Sequence, residues 1–339
     1  MFQPPHCPNH RCPSETSQRP FRHRRCGYYK RKCDGRRIPR FQCLTCFRGF
    51  SSQTFRGNYR YRLPTLHHQL IGHLVSKVTR RQAARLLEVN RKTVERRFTR
   101  LSQIAHDFHF SRLISKRNRG GVRGCFQLDE LETFEHNRRI KPVTLAVTME
   151  RHSYFVLGAY AGSMASRGRL NVRYQKRKFE IEAVEGKRRS QSRQVIRTSF
   201  QQLNKYLAPE ASVFLQSDRK KTYPVEFQRA FPDRLLRHEV TSSKALRSYE
   251  NPLFPINHTL AMMRDGLSCL VRRSWAAPKK KSGLVRHCWI WIAWRNYVRG
   301  VTNRTKTTPA QALGVNARAV KIKDIYKWRW PLREQPKHT

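Results

Sequence analysis

The segments that decide the fold are Gly124-Cys-Phe-Gln-Leu-Asp-Glu-Leu-Glu-Thr-Phe134 and Ser212-Val-Phe-Leu-Gln-Ser-Asp-Arg219. Each is a short apolar run that leads to an aspartate, Asp129 or Asp218, and runs of this length and composition predict β-strands. The chain has 22 acidic residues against 71 Lys and Arg, a formal net charge of +49. Two carboxylates at strand ends in so basic a chain indicate a metal site. A basic protein with such a site is most simply one that cuts or joins nucleic acid.

Each aspartate also has a simpler interpretation. Asp129 could belong to a surface cluster with Glu130, Glu132 and Glu135, and Asp218 could pair with the basic residues that follow it. Taken singly, these interpretations are as good as the metal site, but the order of elements given below favours the metal site.

Length and composition restrict the class of protein. At 339 residues, two or three domains are expected. Charge spread along the chain favours nucleic acid over a membrane, and no 18-residue apolar run or secretion signal stands out. A ribosomal or chromatin-packing protein is the plainer alternative, although such proteins are usually shorter and contain fewer aromatic residues. We therefore expect a cytoplasmic protein with reduced cysteines.

Two cysteine pairs near the start of the chain predict a structural zinc site. Cys43-Leu-Thr-Cys46 is a close pair, and Cys7-Pro-Asn-His-Arg-Cys12 is a wider one. Two such pairs can close a tetrahedral site, and the glycines and short aromatic runs between them are typical of a zinc ribbon. Other ligands are open at this point: Cys26, Cys33, His6 and His10.

Residues 76–101 predict a helix-turn-helix. Ala84 and Leu87 share one face of a first helix, Glu88-Val89-Asn90 forms a turn, and Asn90 caps a second helix whose apolar face contains Val94, Phe98 and Leu101. A second helix of this kind enters the major groove of DNA. Alternatively, the pair is a generic amphipathic one with a solvated basic face. The predicted DNA-binding residues on the outward side are Arg91, Lys92, Thr93, Arg96, Arg97 and Arg100.

Beyond a predicted linker at 118–124, short strands alternate with helices. Strands are predicted at 125–131, 143–149, 154–160, 212–216 and 235–240, and helices at 192–207 and 259–272, with a basic, flexible stretch at 163–191. This order is that of an RNase-H-like α/β domain with a mixed five-stranded sheet and flanking helices. The predicted domains are a zinc ribbon (1–55), a helix-turn-helix domain (60–117), an RNase-H-like domain (124–300) and a basic tail (301–339).

Taken in order, these motifs resemble the insertion-sequence transposases of the DDE class that carry an N-terminal zinc ribbon and helix-turn-helix. The resemblance covers nearly the whole chain and includes Gln-Leu-Asp129-Glu, Gln-Ser-Asp218, the segment from Asp34 to Cys43, the segment from Asn251 to Thr259, and Thr308-Pro-Ala-Gln-Ala-Leu-Gly314. It implies that Asp129 and Asp218 meet on adjacent strands and hold Mg²⁺ (or Mn²⁺). It also implies cleavage and joining of double-stranded DNA at the ends of a mobile element, by a homo-oligomer associated with a bacterial nucleoid.

The third acidic position departs from the family pattern. The resemblance places a Glu at the start of the helix after the fifth strand, where this chain has Ile256-Asn257-His258-Thr259. His258 or Asn257 is therefore the predicted third ligand, although Mg²⁺ prefers carboxylates. Asp265 lies too far along the helix to share the site with His258, and Glu250 precedes the helix in a loop.

Two rivals to an active transposase follow from this departure: a metal-dependent nuclease, and a DNA-binding regulator derived from a transposase with an inactive catalytic domain. Further phosphate-binding residues are predicted beside the active site: Arg272, Arg273, Lys279 and Lys280. Trp275, which sits among these cations, could stack on a base.

Overall fold

The structure is a computed structural model that describes residues 2–16, 21–56, 59, 61–63, 65–242, 244–246, 248–271 and 275–328. The chain divides into two compact units. One comprises the residues up to His67 together with the segment from Tyr326, and the other is His68–Ile325. The predicted helix-turn-helix region and the predicted α/β domain thus share the larger unit.

The small unit is built on a three-stranded antiparallel sheet. It contains α1 (Pro13–Thr16), β1 (His23–Lys30), β2 (Arg37–Cys43) and β3 (Gly49–Ser51), in the strand order β1-β2-β3. Phe41 of β2 and Phe50 of β3 stack with ring centroids 5.8 Å apart, and together with buried cysteines they form the core. So small a core buries little apolar surface, and units of this size usually need a metal or another cross-link.

Three helices open the larger unit: α2 (Leu66–Val75), α3 (Arg80–Leu86) and α4 (Arg91–Arg117). Thr79 caps α3 through a capping box with Gln82, and the Asn90 side chain accepts a hydrogen bond from the Lys92 amide at 2.8 Å, as the sequence predicts for the second helix. α4 is much longer than the predicted second helix. One face of its later turns is buried, and Phe108 on that face packs edge-on against Tyr297, with ring centroids 5.0 Å apart.

The predicted mixed five-stranded sheet is confirmed. Its strands are β4 (Cys125–Phe134), β5 (Pro142–Glu150), β6 (Val156–Ser163), β7 (Val213–Asp218) and β8 (Leu236–Thr241), in the order β6-β5-β4-β7-β8. The three strands β4, β5 and β6 are antiparallel neighbours, whereas β7 runs parallel to both β4 and β8. This order is consistent with an RNase-H-like fold, and β5 is buried along its whole length.

The remaining helices are α5 (Val172–Glu185), α6 (Ser192–Tyr206), α7 (Thr222–Ala230), α8 (Phe254–Gly266), α9 (Lys281–Tyr297), α10 (Pro309–Ala312) and α11 (Ile322–Lys327). α6 agrees with its predicted bounds, and α8 starts five residues before the predicted helix, with Pro255 in its first turn. α6 and α9 both pack against β6. Among the described residues, no helix is long and apolar enough to cross a membrane.

One expectation about a connecting segment is wrong. The basic stretch predicted to be flexible contains α5, a 14-residue helix capped by Asn171, although none of its side chains is buried. The predicted linker at 118–124 is packed: Gly121, at φ 78°, lies so close to the residues after α6 that a Cβ there would sit 2.4 Å from the Cα of Ala208. Only a residue without a side chain permits this approach.

We expect Asn296→Ala to destabilise the larger unit. The buried Asn296 amide accepts a hydrogen bond from the Val156 amide (3.0 Å) and donates one to the Val156 carbonyl (2.8 Å), so it joins α9 to the start of β6. Its removal leaves both backbone groups unpaired and should lower the free energy of unfolding by about 2–4 kcal/mol, measured by urea titration. The exposed Asn303→Ala should change it by less than about 0.5 kcal/mol. Equal effects would contradict this role.

Candidate metal centres and nucleic-acid interface

Four cysteines of the small unit converge on one point. The sulfurs of Cys7, Cys12, Cys43 and Cys46 all lie within 4.8 Å of one another, and within the described residues this is the only group of three or more His, Cys, Asp or Glu that could hold a metal ion. The Cys7 and Cys46 sulfurs are 3.6 Å apart, and those of Cys12 and Cys43 are 3.8 Å apart. Tetrahedral zinc with four thiolates requires sulfur separations of about 3.8 Å, so the donor set fits zinc.

The protonation of these thiols favours metal binding. Burial opposes the thiolate of Cys46. However, hydrogen bonds from the Arg48 backbone, the Asn9 side chain and the neighbouring thiols lower its pKa to about 6. Burial instead raises the pKa of Cys7. Cys46 therefore has thiolate character at neutral pH, which is the form that binds metal.

The rival zinc ligands lie outside this cluster. Cys26 and Cys33 are exposed, and all nine cysteines, each of which is described, are free thiols. His6 contacts the ring of Phe55 edge-on at 5.1 Å, and His10 is exposed. The four cysteines thus come together without them.

Asp129 and Asp218 occupy equivalent positions on the neighbouring parallel strands β4 and β7, but Asp129 lies in the middle of its strand, not at its end as the sequence predicts, because β4 continues to Phe134. The ladder between β4 and β7 pairs Cys125 with Phe214 and Gln127 with Gln216, and both aspartates follow two residues after the last of these pairs. Both are half-buried. The Asp129 carboxylate accepts a hydrogen bond from the Glu130 amide at 2.7 Å, and the Asp218 carboxylate accepts one from the Lys220 amide at 3.1 Å.

A row of polar side chains fixes the register directly before the two aspartates. The buried Gln127 donates to the Gln216 side chain at 2.9 Å and to the Pro252 carbonyl at 2.6 Å, and it accepts from the Ile256 amide at 3.0 Å. Gln216 donates onward to the Glu239 carboxylate at 2.9 Å. This polar row joins β4, β7, β8 and the first turn of α8.

The adjacent residue, Glu130, is buried on the opposite side of β4. Its side chain is 7% exposed and forms an ion pair with the Lys220 ammonium. The hydroxyls of Thr144 (2.7 Å) and Ser192 (2.8 Å) donate to the same carboxylate. Sequence reasoning treated Glu130 only as a member of a surface cluster, and no signal in the sequence shows that these partners surround it.

The carboxylates create a strongly negative region. Burial raises the pKa of the Tyr223 hydroxyl, and the negative charges of Glu130, Asp129 and Asp218 raise it further. Lys220 neutralises only Glu130 directly. A cation between Asp129 and Asp218 would be stabilised by this field, and two carboxylates are the oxygen ligands that Mg²⁺ or Mn²⁺ prefers.

The third predicted ligand lies at the start of α8. The His258 ring stacks on Phe254 (5.7 Å between centroids, 7° between planes) and contacts Tyr154 edge-on, and neither Asp129 nor Asp218 is among these contacts. Asn257 is half-buried and follows Ile256, whose amide binds the polar row. Of the carboxylates considered, Glu250 is exposed and Asp265 pairs with Lys77 at 3.3 Å.

The basic face of α4 largely follows the sequence prediction. Arg91, Lys92, Arg96 and Arg100 are exposed, and Thr93 is half-buried. The expectation that Arg97 belongs to this face is wrong, because Arg97 is only 9% exposed. It lies three residues after the buried Val94, so it falls on the inward side of the helix.

Two of the predicted DNA-binding residues come together around a cavity of about 330 Å³. It is lined by Arg91 at the start of α4 and by Lys279 and the exposed Trp275 in the segment before α9. Lys280 is exposed beside them, whereas Arg272 and Arg273 lie outside the described residues. Lys279 also reaches the end of β4: its backbone bonds His136, whose pKa is lowered by burial and by the charges of Lys279 and Lys141.

Comparison with known proteins adds little to this geometry. No protein-family model matches the chain, and no curated protein matches it in sequence. Among solved structures it is similar to a pre-cleavage Mos1 transpososome, at 14% identity over 67% of this chain and 76% of that chain, with a TM-score of 0.20. At this TM-score the similarity carries no weight for fold or function.

We expect Cys43→Ser to remove zinc from the small unit. The four cysteines would hold the ion as thiolates, and zinc binding contributes on the order of 10 kcal/mol to the folding of such small units. Metal analysis of the purified protein should show loss of bound zinc, and circular dichroism should show loss of a thermal transition. The matched variant Cys26→Ser, at an exposed cysteine of the same unit, should retain both. Zinc retained in Cys43→Ser would exclude this site.

Proposed function

We propose that the protein is a DNA transposase that cleaves strands at the ends of a mobile element and joins them to target DNA. The observation that carries the proposal is the equivalent position of Asp129, in the middle of β4, and Asp218, the last residue of β7, on two adjacent parallel strands, in a chain with a net charge of +49. The strand order β6-β5-β4-β7-β8 supports an RNase-H-like domain.

In this proposal, Asp129 and Asp218 hold Mg²⁺ or Mn²⁺. When bound, such ions activate an attacking oxygen and stabilise the leaving oxygen of a phosphodiester. The chain's own residues supply the alignment. Gln127 and Gln216 set the register of the strands, while the Lys220 backbone holds the carboxylate of Asp218 and the Lys220 ammonium is anchored on Glu130. Lys220 thereby links both strands.

For the third ligand we propose Asn257 ahead of His258. Asn257 follows the residue whose amide is bound by Gln127, so it belongs to the turn of α8 that is tied to the catalytic strands. His258 is engaged with the rings of Phe254 and Tyr154. An amide oxygen is a weaker ligand for Mg²⁺ than a carboxylate, which predicts a site that depends on high metal concentration.

The basic face of α4 is proposed to read double-stranded DNA as the second helix of a helix-turn-helix. Its first residues, Arg91 and Lys92, would lie nearest the bases, and Arg96 and Arg100 nearer the phosphates. Lys279 and Lys280 extend this positive surface toward the end of β4. The zinc ribbon is proposed to be structural, and the active form to be a homo-oligomer on DNA, associated with a bacterial nucleoid.

A second candidate function is a DNA-binding regulator with an inactive catalytic domain. One observation favours it: within the described residues, no third His, Cys, Asp or Glu joins Asp129 and Asp218 in a compact ligand group. A metal-dependent nuclease is the third candidate, and it differs from a transposase in cutting DNA without joining it.

Asp129→Asn and Asp218→Asn should each reduce strand cleavage and joining by about 1,000-fold, because each removes a charged ligand worth several kcal/mol in the transition state. The measurement is an assay with Mg²⁺ or Mn²⁺ on DNA that carries the inverted ends flanking the gene. The control is Glu132→Gln, an exposed carboxylate on the same strand that pairs with Arg167. Specific binding of the ends without cleavage by the unaltered protein would support the regulator, and cleavage without joining would support the nuclease.

Lys92→Ala and Arg96→Ala should weaken binding to duplex ends, and Arg96→Ala should reduce the slope of affinity against salt by about 1, as expected for a lost phosphate contact. Affinity would be measured by fluorescence anisotropy over a series of salt concentrations. Arg173→Ala, at an exposed arginine of α5, is the matched control. An equal loss in all three variants would mean that α4 has no special part in binding.

A further inference from the structure

A second cavity, of about 930 Å³, lies between α8, α9 and the turn that precedes α3. Its wall is rich in rings, and we call it the aromatic cavity. The side chains that line it include Tyr154, Tyr249, Phe254, His258, Trp294 and Arg299. All of them belong to the larger unit, and none is a predicted DNA-binding residue.

Four of the rings contact one another in sequence along the cavity wall. Phe254 and His258 are parallel, with centroids 5.7 Å apart, and Tyr249 meets Phe254 at 62° with centroids 5.3 Å apart. Tyr154 closes the other side, edge-on to His258 at 6.1 Å. Tyr249 is 83% exposed, which is unusual for a large ring and leaves most of its surface open to a ligand.

The cavity is also positively charged. Arg299 lies over the Trp294 ring at 5.3 Å. Arg295 is fully buried behind the wall, where it donates to the carbonyls of Gly300 and Val301 at 3.1 Å, and its Nε has no partner. Among the described lining residues, Asp265 is the one acid, and it pairs with Lys77.

The charge and the rings act together on His258. Burial lowers the pKa of His258, and the nearby charges of Arg295 and Arg299 lower it further. The same two arginines make the cavity attractive to an anionic group.

We propose that the aromatic cavity binds one unstacked nucleobase of single-stranded DNA, with an adjoining phosphate directed toward Arg299. Exposed rings among cations are how proteins hold bases without reading their sequence, and Arg beside a ring adds a cation–π contribution. A second copy of this chain is a poor occupant, because each copy carries a net charge of +49. That DNA is the ligand rests on the proposed function.

Neither Asp129 nor Asp218 lines the cavity, although His258 in its wall is adjacent to Asn257, the proposed third ligand. Tyr154 follows the turn after β5, beyond the pair Phe126–Glu150 at the start of β4, whereas Asp129 pairs with Val147 farther along the strand. A base held here would belong to a nucleotide away from the phosphate that Asp129 and Asp218 address.

The test compares binding of oligothymidine with binding of a base-free strand that has the same sugar-phosphate length, by fluorescence anisotropy and without divalent metal. Stacking one base should make the unaltered protein favour oligothymidine by about 5- to 100-fold. Tyr249→Ala and His258→Ala should remove most of this preference. Arg299→Gln should weaken both strands and reduce the salt slope by about 0.7.

Two control variants remove exposed rings elsewhere: Phe179→Ala on α5 and Trp275→Ala beside Lys279. Both should keep the preference for bases. The proposal is overturned if the unaltered protein binds the two strands equally, if Tyr249→Ala keeps the preference, or if only Trp275→Ala loses it. If the protein does not cleave duplex ends but still prefers oligothymidine to the base-free strand, the transposase proposal is wrong and the cavity remains a site for single-stranded DNA.

Discussion

The arrangement of the larger unit depends on one buried amide. Gln127 has no exposed surface, and it satisfies both ends of its side chain by bonding a neighbouring strand, a carbonyl before α8 and an amide within α8. A buried amide that lost any of these partners would leave polar atoms unpaired, at about 1–3 kcal/mol each. The strands and the helix are therefore held in one register, because a slip of one residue would break several hydrogen bonds together.

This constraint explains the position of the two carboxylates. Both strands carry the same pattern, Gln-Leu-Asp on β4 and Gln-Ser-Asp on β7. Since the glutamines are paired across the parallel ladder, the aspartates two residues later must also lie level with each other. Pairing of the glutamines thus brings two like charges together, and this juxtaposition is unfavourable unless a cation or a positively charged side chain compensates it.

Lys220 contributes its backbone, not its side-chain charge, to the pair of aspartates. Glu130 anchors the ammonium of Lys220, while the backbone of Lys220 holds Asp218. Because alternate residues of a strand point to opposite faces, Asp129 and Glu130 can serve these two different environments although they are adjacent in sequence. On β4, Asp129 therefore belongs to the candidate metal site, and the next residue, Glu130, binds the side chain of Lys220, which follows β7.

Local sequence patterns predicted the structural features that neighbouring residues determine. The strand runs, the cap at Asn90 and the four cysteines are all set by neighbouring residues or by short spacings. The parts that could not be predicted depend on distant contacts. The partners of Glu130 are decided by elements far away in the chain, and the ring contacts of His258 need Tyr154, which lies about a hundred residues earlier. The burial of Arg97, in contrast, follows from its position three residues after Val94.

The long helix α4 connects the two halves of the proposed function. Its first turns carry the basic face, and its later turns pack on α9 through Phe108 and Tyr297. Phe98, opposite the basic face, contacts the buried His287 of α9, whose Nε2 lies 2.8 Å from the Leu74 carbonyl of α2. A continuous helix packed in this way holds its basic face at a fixed position relative to α9, whereas a flexible linker would not. If α4 binds DNA, the distance between the sequence it contacts and the phosphate that reaches Asp129 and Asp218 is fixed by the packing of α4 on α9.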